Sequence, residues 1–252
     1  MDLTLHNFEI LLDLTTSGGF TPITIGEYLA NRAQSRKFFL LRHDVDCKPR
    51  LALQFAELEK SKGIVGTFFF HGPHRPKFYD PGVIRAISQM GHEIGYHFET
   101  LDRAGGNFEK ARSMFEEDIA LLRGQGYDVS TVCAHSNLFR KKIGYTDNRD
   151  LLSHYPELLE RNAISGEAYT SLTPDFHLIW SVVDARTGLN GFATARLIQS
   201  YLRNPEFKAV YLTIHPHYWA KTAVGAFAGW SFAKLFNMFG LNRALRRGSS
   251  VQ

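Results

Sequence analysis

The sequence predicts a parallel α/β sheet, closed or distorted into a (β/α) barrel of about seven strands. Three observations lead there. Lys37 to His43 and Ile64 to Phe70 are near-continuous apolar runs, the pattern of strands covered on both faces. Helical patterning alternates with strand-like runs along most of the chain. The chain has 252 residues, a length at which α/β barrels commonly stand as one domain. An open doubly wound sheet would show the same alternation, because periodicity does not reveal strand order.

In order along the chain, helical stretches are expected at Leu5 to Leu14 and Ile25 to Ala33, followed by the first strong strand at Lys37 to His43. Arg50 to Lys62 has helical spacing, with Gly63 placed to close it. The second strand is Ile64 to Phe70. Asp80-Pro81 then opens a helix to Met90, and Gly91 ends it. Glu93 to Phe98 reads as a strand, Asn107 to Arg123 as a long amphipathic helix, and Val129 to Ala134 as another strand. Asp147-Asn148 can cap a helix running towards Glu160. Weaker strands are expected at Ala163 to Ser165, His177 to Val183 and Val210 to Ile214, with a helix near Ala193 to Leu202. No linker, repeat or low-complexity tract divides the chain, so residues 1–252 read as one domain with an amphipathic helical tail at about 226–247.

Composition narrows the setting. With 44% hydrophobic and 21% charged residues the chain is neither disordered nor fibrous. The 29 basic and 25 acidic residues leave a net charge of +4, an ordinary solvated surface. No basic patch interleaved with stacking aromatics points to nucleic acid. The two cysteines, Cys47 and Cys133, make neither a disulfide framework nor a CxxC zinc pair, which fits a reducing compartment. The opening residues lack the basic-then-apolar order of a signal peptide, so a cytoplasmic location is expected. In the tail, Trp230, Phe232, Phe236 and Phe239 precede Arg243, Arg246 and Arg247. That order suits peripheral contact with an anionic membrane, and equally a last helix packed on the barrel.

The strand ends carry the chemistry. In parallel α/β folds the active site gathers at the carboxyl ends of the strands. Here those ends hold His43-Asp44-Val45-Asp46, His71, His97, His135 and His215-Pro216-His217. One histidine at a strand end is usually a satisfied polar residue; five such positions converging on one rim suggest a site. Asp44 and Asp46, two apart in an extended segment, project to the same side. Two carboxylates so close suit a division of labour, one binding a divalent metal and the other accepting a proton from the water that metal polarises.

Leu41-Arg-His-Asp-Val-Asp46, Gly91-His-Glu-Ile-Gly-Tyr-His97 and Thr213-Ile-His-Pro-His217 resemble the motifs of the polysaccharide deacetylase (NodB-like) carbohydrate esterase family. The likeness is greatest to its divergent bacterial branch, associated with surface polysaccharides, and runs from about Lys37 to Trp219. The resemblance implies a distorted (β/α) barrel and a divalent metal, usually zinc, that serves to hydrolyse N-acetyl groups of amino sugars. It implies Asp44 as catalytic base, Asp46 and His97 as metal ligands, and His215 as the acid that protonates the leaving amine.

The sequence departs from that pattern at two places. The family's second metal histidine falls four residues after the first, where this chain has Leu101. Either another residue supplies the third ligand, with His135 the first choice and His43, His71 and Glu99 behind it, or the metal site is weak or absent. The family's Arg-Pro segment on the fourth strand is replaced by Ala134-His-Ser-Asn137. Asp184, Arg186, His217 and Trp219 are candidates to bind substrate, Arg186 by forking onto an anionic group and Trp219, with Tyr218, by stacking on a sugar ring. His92 reads as structural.

The expected function is a metal-dependent hydrolase that removes an N-acetyl or N-formyl group from an amino sugar of a surface polysaccharide or its precursor. Two alternatives stand beside it: a non-catalytic carbohydrate-binding protein on the same fold, supported by Leu101, and a metal-dependent hydrolase of another C–N bond.

Overall fold

The computed structural model describes residues 4–31, 37–135, 142–172 and 209–219, and the backbone of 179–181. Its strands form one parallel sheet: β1 (Thr21–Ile23), β2 (Phe38–Val45), β3 (Thr67–Phe70), β4 (Glu93–Phe98), β5 (Thr131–Ala134), β6 (Gly166–Glu167), β7 (Ile179–Ser181) and β8 (Ala209–Ile214). The path runs β6-β5-β4-β3-β2-β8-β7, with β1 paired to β2 beside it. Seven strands on the path, with helices in the described crossovers, agree with the distorted barrel expected from the sequence; among the described residues the strand order is not a doubly wound one.

The helices are α1 (Leu5–Ser17), α2 (Ile25–Ala30), α3 (Pro49–Ser61), α4 (Pro81–Gln89), α5 (Thr100–Ala104), α6 (Phe108–Gly124), α7 (Asp150–His154) and α8 (Leu158–Arg161). Local chemistry sets several of their ends. Thr24 and Glu27 form a capping box on α2. Asp80 accepts from the amides of Gly82 and Val83 ahead of α4. Asn107 caps α6 through Lys110. Gly63 and Gly91, which follow α3 and α4, have φ of 68° and 95°, where a side chain would be strained.

Some boundaries differ from the sequence reading, each for a physical reason. The second strong strand starts at Thr67 rather than Ile64, because β1 already occupies the lower part of that edge of β2: Phe38–Leu40 pair with β1, and only Arg42–Val45 pair with β3. The helix expected to run towards Glu160 is two short helices. Pro156 lies between them, lacks an amide hydrogen and disfavours helix in the residue before it. Nor does Asn148 cap a helix; its amide is spent on Asp102 and on the His135 carbonyl. Ala163 has φ of 48° in the turn after α8, so the weak strand begins at Gly166. β1 and α5 were not anticipated. The helix near 193–202, the tail at 226–247 and most of the strand at 177–183 lie outside the described residues. Among the described residues, no helix is long and apolar enough to cross a membrane.

The alternation of β2 divides the core into two layers. Phe39, Leu41 and Val45 join the larger cluster with Phe8, Phe55 and Ala56 of α1 and α3. Phe38 and Leu40 join a smaller inner cluster with Phe69, Cys133 and Tyr211. The same inner face then continues through Arg42 and Asp44 towards the carboxyl ends of the strands. Gly95 explains one glycine of the Gly-His-Glu-Ile-Gly motif: a Cβ there would overlap the Phe69 ring in the inner layer.

Candidate active site

Register brings the strand-end residues to one level. Val45 pairs with Phe70 and Phe70 with Tyr96, so the next residues along each strand, Asp46, His71 and His97, line up across three strands. His97 pairs with Cys133, which puts His135 two residues further along and on the same face. The result is a group of Asp46, His71, His97 and His135 whose ligand atoms lie within 4.8 Å of one another.

Each of these side chains has a distinct setting. The His97 Nδ1–H donates to the Cys133 carbonyl at 2.9 Å, which leaves Nε2 facing Asp46 Oδ1 at 3.1 Å. This is how a metal-binding histidine is usually held, by a backbone oxygen behind the ring. His135 Nε2 lies 3.7 Å from the same oxygen, and its Nδ1 lies 3.2 Å from Glu99. His71 is fully buried, and neither ring nitrogen has a hydrogen-bond partner. Burial, reinforced by His97 and His135, pushes its pKa well below the usual value, so the ring is neutral. Burial works to raise the Asp46 pKa, but His97, His215 and His135 hold it well below the usual carboxylate range. A carboxylate and imidazoles with inward nitrogens are the donor chemistry a divalent ion requires, and orphaned buried nitrogens at His71 are what such an ion would satisfy.

Glu99 is not aimed at that group as a donor. Arg75 grips both its oxygens, and His74 lies 3.4 Å away. Against its burial, His135, His74 and Arg75 keep it ionised. It stands behind His135 as a second carboxylate. His43, the other alternative third ligand, faces the opposite side of the sheet, 2.7 Å from Glu59 and stacked on Phe68. Leu101 is buried in the apolar core at α5 and offers no donor. His92 is likewise on the outer face, where Gly66 N donates to its Nδ1 and its Nε2 meets the Ala56 carbonyl.

Asp44 lies one layer deeper. Arg42, fully buried two residues earlier on the same strand, donates from Nε and Nη2 to both Asp44 oxygens at 2.7 and 2.6 Å. The remaining donors of Arg42 meet the Tyr211 hydroxyl and Cys133 Sγ, and its guanidinium lies 4.0 Å from the Tyr169 ring centre. Burial opposes ionisation of Asp44, yet Arg42, then His97, bring its pKa down to about 2. Nothing but the Arg-His-Asp order itself hints at this arrangement in the sequence. Register sets Asp44 next to His215, and His215 Nε2 is 3.7 Å from Asp44 Oδ2.

The substrate candidates divide. His217 stays at the site, its Nδ1 4.0 Å from Asp46 Oδ2, with burial pushing its pKa down to about 4. Trp219 does not: the 3-10 turn Pro216–Tyr218 returns the chain to the helices, and Trp219 is 4% exposed against Phe8 and Phe55. The expectation that it stacks on substrate is corrected to a core role. Tyr218, 39% exposed and against His217, is an aromatic at the rim. Asp184 and Arg186 lie outside the described residues.

No family model matches the sequence, and no curated protein matches it. Solved structures do match. The fold is that of the NodB-like deacetylases grouped as family 4 carbohydrate esterases. A CE4 esterase of Streptococcus mutans shares it at 15% identity and a TM-score of 0.52, over 79% of this chain and 81% of that one. The catalytic domain of a peptidoglycan N-acetylglucosamine deacetylase from Eubacterium rectale matches at 14% identity and a TM-score of 0.49, over 81% of this chain and 86% of that one. A CE4 family pseudoenzyme of Bacillus anthracis matches at 12% identity and a TM-score of 0.45, over 82% of this chain; this chain spans 62% of its length.

Proposed function

We propose that the chain is a metal-dependent hydrolase that releases the acetyl, or formyl, group from the nitrogen of an amino sugar in a glycan or glycan precursor. The observation that carries this reading is the stacking of two layers at the carboxyl ends of the strands: an arginine-held carboxylate with a histidine beside it, under a carboxylate and histidines with converging nitrogens.

Asp46, His97 and His135 would hold the ion. A divalent ion bound there supplies Lewis-acid polarisation of the amide carbonyl and activation of water. Asp44, ionised throughout the neutral range, accepts the proton as water adds to the carbonyl carbon. Arg42 keeps that carboxylate fixed and charged. Its depressed pKa makes Asp44 a weak base, so the carboxylate needs an acidified water to act on. His215 gives a proton to the nitrogen as the C–N bond breaks, leaving a carboxylic acid and a free amine. Tyr218 offers the sugar an apolar face at the rim.

The test is metal analysis of purified protein, followed by assay of acetate and formate release from a panel of N-acylated amino sugars. The expected result is release by the metal-loaded protein. Asp44→Asn should cut turnover by at least about a hundredfold with the metal retained. Glycan binding without release, or activity only on another C–N bond, overturns the proposal.

A further inference from the structure

We infer that His71 is a fourth protein ligand to the metal, so that the site is built from three imidazoles and one carboxylate. The inference rests on the metal-dependent reading above and deepens it.

β5, β4, β3 and β2 are consecutive in the sheet, and each delivers one donor at its carboxyl end: His135, His97, His71 and Asp46. His71 occupies the centre of that row. Its ring centre is 5.1 Å from that of His97 and 4.9 Å from that of His135. A site drawn from Asp46, His97 and His135 alone would skip the strand between β2 and β4. It would also leave a fully buried imidazole with two unsatisfied nitrogens in its midst, an arrangement folded proteins rarely keep without a use. Coordination supplies the use.

The fourth donor has a chemical consequence. Four protein ligands complete a tetrahedral ion, with no position left for water or the substrate carbonyl. A working site with this set needs five or six positions, which cobalt(II), iron(II) and manganese(II) adopt more readily than zinc. The donor set therefore argues for a metal other than the zinc that the motifs imply.

The experiment titrates the full-length, metal-stripped protein with cobalt(II) and follows both affinity and the visible spectrum. X-ray absorption of the cobalt-loaded wild type then counts imidazoles. The expected results are weak d–d bands of a five- or six-coordinate ion, a fit that requires three imidazoles, and a loss of at least about a hundredfold in affinity for His71→Ala. A two-imidazole fit, or His71→Ala with unchanged affinity and spectrum, overturns the inference and leaves the metal-dependent reading standing. No cobalt binding by wild type overturns both. Should His71→Ala fail to fold, the wild-type imidazole count decides by itself.

Discussion

Strands β2 to β5 and the residues at their ends carry histidines on both faces of the sheet, and the two sets have different surroundings. On the outer face, His43 and His92 surround Glu59 of α3. On the inner face, His71, His97 and His135 surround Asp46. Proximity to a carboxylate therefore does not separate them; the direction of the nitrogens does. His92 is consumed by the backbone, accepting from Gly66 N and facing Ala56 O, each at 3.1 Å. Inside, the backbone takes only the rear nitrogen of His97 and none of His71. His43 sets its Nε2 2.7 Å from Glu59, so the outer pair holds α3 against the sheet, whereas among the described residues no carboxylate or backbone oxygen lies that close to His71.

Arg42→Met should show the largest effect on stability. It strands Asp44, 1% exposed, without a counter-ion, and breaking such a pair costs about 3–5 kcal/mol. Urea unfolding measures it; a loss below about 1 kcal/mol would mean the pair is as weakly coupled as one at the surface. His92→Ala should cost about 1–3 kcal/mol, because it leaves the buried Gly66 amide unsatisfied, while cobalt affinity stays at the wild-type level. His71→Leu should do the reverse. Removing two orphaned nitrogens should leave the metal-free protein as stable as wild type or up to about 2 kcal/mol more so, by thermal or urea unfolding. Equal destabilisation by the His71 and His92 variants would erase the distinction between the faces.

The smallest effect is a pH dependence. Burial holds the His92 pKa below 6.5, so its contribution to stability is complete above pH 6.5 and is lost as pH falls from there to its lower folded value. The Asp44 pKa is lowered from 3.8 to about 2, so its share is complete above pH 3.8 and disappears only as pH falls to about 2. His92→Gln should therefore flatten the stability curve just below pH 6.5, where one proton is worth at most about 1.4 kcal/mol per pH unit, and leave the limb below pH 4 intact. Unfolding curves at half-unit steps would show whether the two limbs separate.

Much of this was legible in the sequence because strand ends and apolar runs are local signals. Asp46, His97, His135 and His215 could be placed on one rim from their positions after apolar runs alone. What stayed hidden depends on which face a residue takes and on what lies across the sheet. His43 and His71 end similar runs, yet the alternation of β2 sends His43 outward, while His71 falls in line with Phe69 on the inner face of β3. Trp219 misled for a related reason: adjacency to His217 in sequence says nothing about the turn that carries it back to Phe8 and Phe55. The late start of β3 was invisible because three-residue β1, which displaces it, is too short to register as a pattern.

The Arg42–Asp44 pair lies within a single strand, set by the pleat of β2 rather than by the docking of two elements. A guanidinium delivered from β5 would have tied the end of that strand to the Asp44 carboxylate. Here β5 meets the pair only through Cys133 among the described residues, its Sγ accepting from Arg42 Nη2 at 2.8 Å. On the function proposed above, a change of side chain at the end of β5 would alter which glycan is reached without removing the arginine that holds the proposed proton acceptor. Under that proposal, substrate range and acid–base chemistry become separately adjustable, which gives a lineage room to change its target while keeping its reaction.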